Sequence, residues 1–270
     1  MSWRAGSGLA SSTAAALAFL LAGCAGGPAV RQEIVVAGRT YHARYVRPAE
    51  PRPGKPLIAL FSGDAGWMGT SGMLLEHLAA AGYPIAGFDS REALKPVKQS
   101  GESMSVARAA DALEEAFIRA RSDLDVPAAA PLIVVGFSRG ASAAAFAAVH
   151  PKLHAGLAGA VAIALTREVD YLKAPPPGER PPGIQVDDKG RMLLYPALSL
   201  IGPIPLAVIQ STGDRYVPSA EGRRLFGPDT PTRRLYEVEA KNHGFSGGEE
   251  TLLRDLDEAL VWIDPRPASR

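Results

Sequence analysis

The chain has 270 residues, 47% of them hydrophobic, and its 29 Lys and Arg nearly balance 28 Asp and Glu for a net charge of +1. The apolar share is enough to bury the core of one α/β domain, and the near-zero charge gives no reason to expect nucleic acid or a strongly acidic partner. A single cysteine excludes an intrachain disulfide, so the fold must be held by its core alone.

The N-terminal stretch differs from the rest. Residues 1–4 carry one positive side chain, and residues 9–22 are mostly apolar and Ala-rich. A membrane span needs about 20 strongly apolar residues, so residues 1–23 read instead as a signal peptide. Leu21-Ala22-Gly23-Cys24 resembles a bacterial lipobox, with Cys24 as the lipidation site. That resemblance implies a periplasmic chain held at the membrane through acylated Cys24. The residue after Cys24 is Ala25 and not Asp, which by the same resemblance implies the outer membrane. Residues 24–32 read as a tether and residues 33–265 as the folded domain.

Residues 33–36 and 40–46 read as a hairpin turning at Gly38, followed by a loop over 48–56 dense in Pro and Gly. Residues 57–61, 85–88 and 132–135 are short apolar runs, the pattern of strands buried on both faces. Residues 73–81 have helical spacing and stop at Gly82. Over 105–121, Val106, Ala109, Leu113, Ala116 and Phe117 fall on one face of a long helix. The Ala-rich stretch 141–149 is a helix ended near His150-Pro151, and 157–165 reads as a strand. Residues 166–202, with Pro175, Pro176, Pro177, Pro181 and Pro182, break the rhythm and read as an inserted cap or loop. Strand 205–210, helix 220–226, strand 234–239 and helix 249–263 complete the chain. This alternation predicts an α/β class, with a mostly parallel central sheet and helices on both faces.

The strongest motif is Gly136-Phe137-Ser138-Arg139-Gly140, set between a predicted buried strand and a predicted helix. That is the context of a nucleophile elbow and so of an α/β-hydrolase fold. A serine hydroxyl needs a base. In this fold the order along the chain is Ser, acid, His. Asp214 follows the strand 205–210 in Gly213-Asp214, and His243 is the one histidine after it. Ser138, Asp214 and His243 are therefore the expected catalytic triad. The helix beginning after Ser138 offers free N–H groups and a positive dipole end to an oxyanion. The expected hole combines the N–H of Arg139 with that of Asp64, less firmly Gly63, in Ser62-Gly63-Asp64-Ala65-Gly66-Trp67. Asp64, Asp89 and Trp67 are the expected substrate-binding residues, an aspartate there being suited to a cationic group. No Gly-Lys-Ser/Thr follows the 62–72 loop, and neither a His-Glu-x-x-His motif nor a cysteine cluster is present, so no nucleotide, metal or cofactor is implied.

Ser62-Gly63-Asp64-x-Gly66-Trp67, Gly87-x-Asp89-Ser90, Gly136-x-Ser138-x-Gly140-Ala141, Gly213-Asp214 and His243-Gly244-Phe245 together resemble the VirJ/AcvB virulence-protein family over about residues 57–263. The resemblance implies a periplasmic α/β-hydrolase acting on an ester, with aminoacylated phosphatidylglycerol as the lipid substrate. In some bacteria it implies secretion-system partners. Asn242 replaces the first of the family's paired histidines, and Arg91-Glu92-Ala93-Leu94-Lys95 replaces an aromatic stretch. A non-catalytic lipoprotein that binds a secretion partner and a generic carboxylesterase are the alternative readings.

Overall fold

The computed structural model describes residues 29–48, 54–94, 104–181 and 183–264. The expected leader and Cys24 lie outside them. In chain order the elements are β1 (Val30–Val36), β2 (Arg39–Val46), β3 (Leu57–Phe61), α1 (Thr70–Ala80), β4 (Ile85–Phe88), α2 (Ser90–Ala93), β5 (Met104–Ser105) and α3 (Val106–Asp123). There follow β6 (Leu132–Phe137), α4 (Arg139–Val149), β7 (Leu157–Ile163), β8 (Glu168–Val169), β9 (Leu172–Lys173), β10 (Met192–Leu193) and α5 (Leu194–Ala197). The chain closes with β11 (Leu206–Ser211), α6 (Ser219–Phe226), β12 (Arg233–Val238) and α7 (Glu249–Ile263).

Eight strands make one sheet in the order β1-β2-β4-β3-β6-β7-β11-β12. β2 is antiparallel to both its neighbours, and every other pairing is parallel. The first hairpin turns at Ala37-Gly38, both at positive φ, a two-residue turn whose twist matches the strands. Val30 and Arg31 already pair with Tyr45 and Arg44, so the strand begins inside the stretch expected to be tether.

The strands alternate between two cores because successive side chains point to opposite faces. In β3, Leu57, Ala59 and Phe61 join the core under α3 and α4, while Ile58 and Leu60 join the core under α1 and α7. On α7, Leu252, Leu256, Ala259, Leu260 and Ile263 form the apolar stripe that seats it. Residues 166–202 are not an open loop. β8 pairs with β10 and β9 with β5, and Val169, Tyr171, Leu172, Met192 and Leu194 are buried over α4. The parallel strands all end at one edge of the sheet, so the loops after β3, β6, β7, β11 and β12 gather there.

Candidate active site

The chain leaves β6 and enters α4 through Ser138, whose φ of 54° and ψ of −116° place it outside the ordinary regions for an L residue. Two close approaches allow this turn. A Cβ on Gly136 would lie 1.9 Å from the Gly140 carbonyl oxygen, and a Cβ on Gly140 would lie 2.3 Å from that of Phe61. The Ser138 N–H donates to Ile163 O at 2.8 Å, which pins the turn to β7.

His243 Nε2 stands 2.8 Å from Ser138 Oγ, and His243 Nδ1 stands 2.7 Å from Asp214 Oδ2. Asp214 is 1% exposed, in the turn after β11. Its Oδ1 accepts from the N–H groups of Tyr216 at 2.8 Å and Val217 at 3.4 Å. Its Oδ2 also accepts from Gln210 Nε2 at 3.0 Å. These donors hold the carboxylate with one oxygen facing the imidazole. Gln210 is anchored in turn, its Oε1 accepting from the Leu165 N–H at 3.1 Å. Sequence reasoning missed Gln210 as a positioning residue. The signal was present: a polar residue closing an apolar strand must find partners once buried.

The loop bearing His243 is built by its neighbours. Asn242 Oδ1 accepts from the N–H groups of Gly244 at 2.9 Å and Ser246 at 3.2 Å. Phe245 is fully buried at a φ of 62°. Thr70 Oγ1 donates to Gly244 O at 2.8 Å, tying the loop to the start of α1. The imidazole lies 5.6 Å from the Phe137 ring and 4.8 Å, edge to face, from the Tyr216 ring.

The expected oxyanion donors divide. Arg139 is the first residue of α4, so its N–H has no partner within the helix. The Asp64 N–H donates to no acceptor among the described residues, and Asp64 lines the same cleft as Ser138. The Gly63 N–H is already given to Ser71 Oγ at 3.0 Å, which removes it as a donor. Gly63 instead backs the elbow: a Cβ there would fall 2.9 Å from the Phe137 ring.

The expected substrate-binding residues are placed differently. Asp89 caps α2, accepting from the Arg91 N–H at 3.0 Å, and its side chain is 8% exposed and paired with the Arg91 guanidinium. Burial pushes its carboxyl up, but the hydrogen bonds and charge of Arg91 outweigh this and hold it below the usual range. Trp67 packs on β4, where a Cβ on Gly87 would lie 2.7 Å from its ring, and its ring lies 5.2 Å under the Arg44 guanidinium. Neither Asp89 nor Trp67 lines the cleft. The Asp64 carboxylate does line it, 67% exposed, but is paired with Arg139.

The cleft over Ser138 has a volume of about 990 Å³ and also takes in Arg167, Asp170, Tyr171, Arg191, Arg215 and Tyr216. The Arg139 side chain joins three segments at its floor. Its Nε donates to Asp64, its Nη1 and Nη2 to Asp170, and Nη1 also to Leu94 O at 3.3 Å. Burial pulls its pKa down, and the bonds to Asp170 and Asp64 more than restore it. Beside it Ser142 Oγ and Tyr171 Oη lie 2.9 Å apart, a second link between α4 and the inserted segment. Among the described residues, no cluster of His, Cys, Asp and Glu is placed to hold a metal ion.

No family model and no curated protein matches the chain. Solved structures do. The esterase Est1E of Butyrivibrio proteoclasticus superposes with a TM-score of 0.59 at 16% identity, covering 87% of this chain and 99% of its own. The esterase Pf2001 of Pyrococcus furiosus gives a TM-score of 0.60 at 15% identity, covering 86% of this chain and 91% of its own. An α/β serine hydrolase without a lid from Xanthomonas campestris gives 0.54 at 16% identity, covering 90% of this chain and 97% of its own. With its eight-stranded, mostly parallel sheet flanked by helices, the chain has the α/β-hydrolase fold.

Proposed function

We propose that the protein is a serine hydrolase that cleaves an ester by acyl transfer through Ser138. The observation that carries this is the unbroken chain from Ser138 Oγ to His243 at 2.8 Å and from His243 to Asp214 at 2.7 Å. Ser138 Oγ attacks the ester carbonyl carbon while its proton passes to His243 Nε2. The N–H groups of Arg139 and Asp64 hold the oxyanion. The carbon–oxygen bond to the leaving group then breaks, and His243 returns the proton to the departing oxygen. Water repeats the cycle on the acyl-enzyme and frees the acid.

The favoured substrate is an aminoacyl ester, with aminoacyl-phosphatidylglycerol as the lipid that the VirJ/AcvB resemblance implies. Support comes from the Arg139 cluster, where one guanidinium meets two partly exposed carboxylates, Asp64 and Asp170. The cluster is one positive charge short, and a substrate ammonium beside Ser138 would balance it. The leader of residues 1–23 set before Cys24 supports a lipid-anchored enzyme working in the periplasm, at the outer membrane.

A lysyl ester compared with its Nα,Nε-diacetyl counterpart tests the substrate class, because acetylation removes the charge and keeps the ester. Wild-type kcat/KM is expected to favour the free amine, and Asp170→Asn to cut that preference about tenfold. Equal preference in wild type and variant would refute an amine seat.

A further inference from the structure

Four arginines line the cleft, and three of them are neutralised. Arg139 is held by Asp64 and Asp170, Arg167 by Glu221 at 2.6 Å, and Arg191 by Glu168 and Asp187, both at 2.6 Å. Arg215 has no carboxylate within ion-pair distance among the described residues. Its guanidinium carbon lies 4.8 Å from the centroid of the Tyr216 ring, and its Nη2 donates to Tyr216 Oη at 2.6 Å. The same Tyr216 ring meets the His243 imidazole edge to face at 4.8 Å.

Arg215 lines the same cleft as Ser138 and His243, a guanidinium with no carboxylate of its own to pair with among the described residues. An anion on the substrate would supply the missing counter-charge. The donors for one are in place. Arg215 has N–H groups beyond the one it gives to Tyr216, and Tyr216 Oη, accepting from Arg215, keeps its own hydrogen to donate. The contact of Tyr216 with His243 points to the leaving-group side of the cleft. His243 Nε2 hands its proton to the leaving oxygen, and Tyr216 packs against that same ring.

We infer that Arg215 and Tyr216 form an anion subsite that selects esters whose leaving group carries a carboxylate or phosphate. The inference rests on the hydrolase reading above and adds a specificity residue to it. The guanidinium stands at the exposed rim, so its pull is screened by salt, which gives the test a handle that a structural role would lack.

The experiment compares hydrolysis of 4-acetoxybenzoate with that of its methyl ester by the full-length protein, with 4-acetoxyphenyl phosphate as a third substrate. In Arg215→Gln the ratio of kcat/KM, charged over neutral, is expected to fall about tenfold. Arg215→Lys should keep part of the ratio, and roughly 0.5 M sodium chloride should shrink it in the wild type. Arg254→Gln, on the outer surface of α7, should leave it as in the wild type. A greater Arg215→Gln loss for the aryl phosphate than for the benzoate would assign the seat to phosphate, and the reverse to carboxylate. Turnover of all three esters with the same ratios in wild type and Arg215→Gln would overturn the subsite alone. No turnover of any ester, with no covalent adduct on Ser138 after fluorophosphonate treatment, would overturn the hydrolase reading and the subsite together.

Discussion

Replacing His243 with alanine is expected to lower kcat for a p-nitrophenyl ester about a million-fold while leaving the circular dichroism spectrum unchanged. Among the described residues the imidazole is the one base within reach of Ser138 Oγ, at 2.8 Å, and a neutral serine hydroxyl is a poor nucleophile without it. The residual rate would come from the oxyanion donors, which do not depend on position 243. The fold should survive because the loop is held by Asn242, Thr70 and the buried Phe245 rather than by the imidazole. Steady-state kinetics with an active-site titration of the wild type provide the measurement.

Gly136→Ala is expected to act on the fold itself, destabilising it by more than about 4 kcal/mol. The new methyl would sit 1.9 Å from the Gly140 carbonyl oxygen, a backbone atom that no rotamer change can move. Relief would need β6 and α4 to part, and both are central: β6 lies between β3 and β7, and α4 is buried along most of its length. Chemical denaturation of wild type and variant should show the midpoint falling sharply, or the variant failing to accumulate as soluble protein.

How much could be read in advance depended on whether the information was local. β3, β4 and β6 were legible because strands buried on both faces appear as unbroken apolar runs, and α7 because its apolar positions recur at helical spacing. The elbow was legible because its steric demand falls on two glycines flanking one serine. Asp214 and His243 could be selected by their order after it, and the structure brings both into one hydrogen-bonded line with Ser138. Asp89 and Trp67 were misplaced because sequence puts them at strand ends without saying where their side chains turn. Asp89 bends back to cap α2, and Trp67 lies down on β4. Gly63 was a matter of one hydrogen bond, to a serine eight residues on. The Arg139 cluster was invisible for a different reason. It joins residues 75 and 31 positions apart, through an inserted segment whose prolines gave no helical or strand period to follow.

Ser138, at the head of α4 and 2.8 Å from His243 Nε2, is the expected nucleophile. The most direct measurement is the site of fluorophosphonate labelling, located by peptide mass spectrometry on the wild type and on Ser138→Ala. A single adduct on Ser138, absent from the alanine variant and formed far more slowly in His243→Ala, is the predicted result. An unlabelled wild type, or an adduct that persists on another residue when Ser138 is gone, would contradict it.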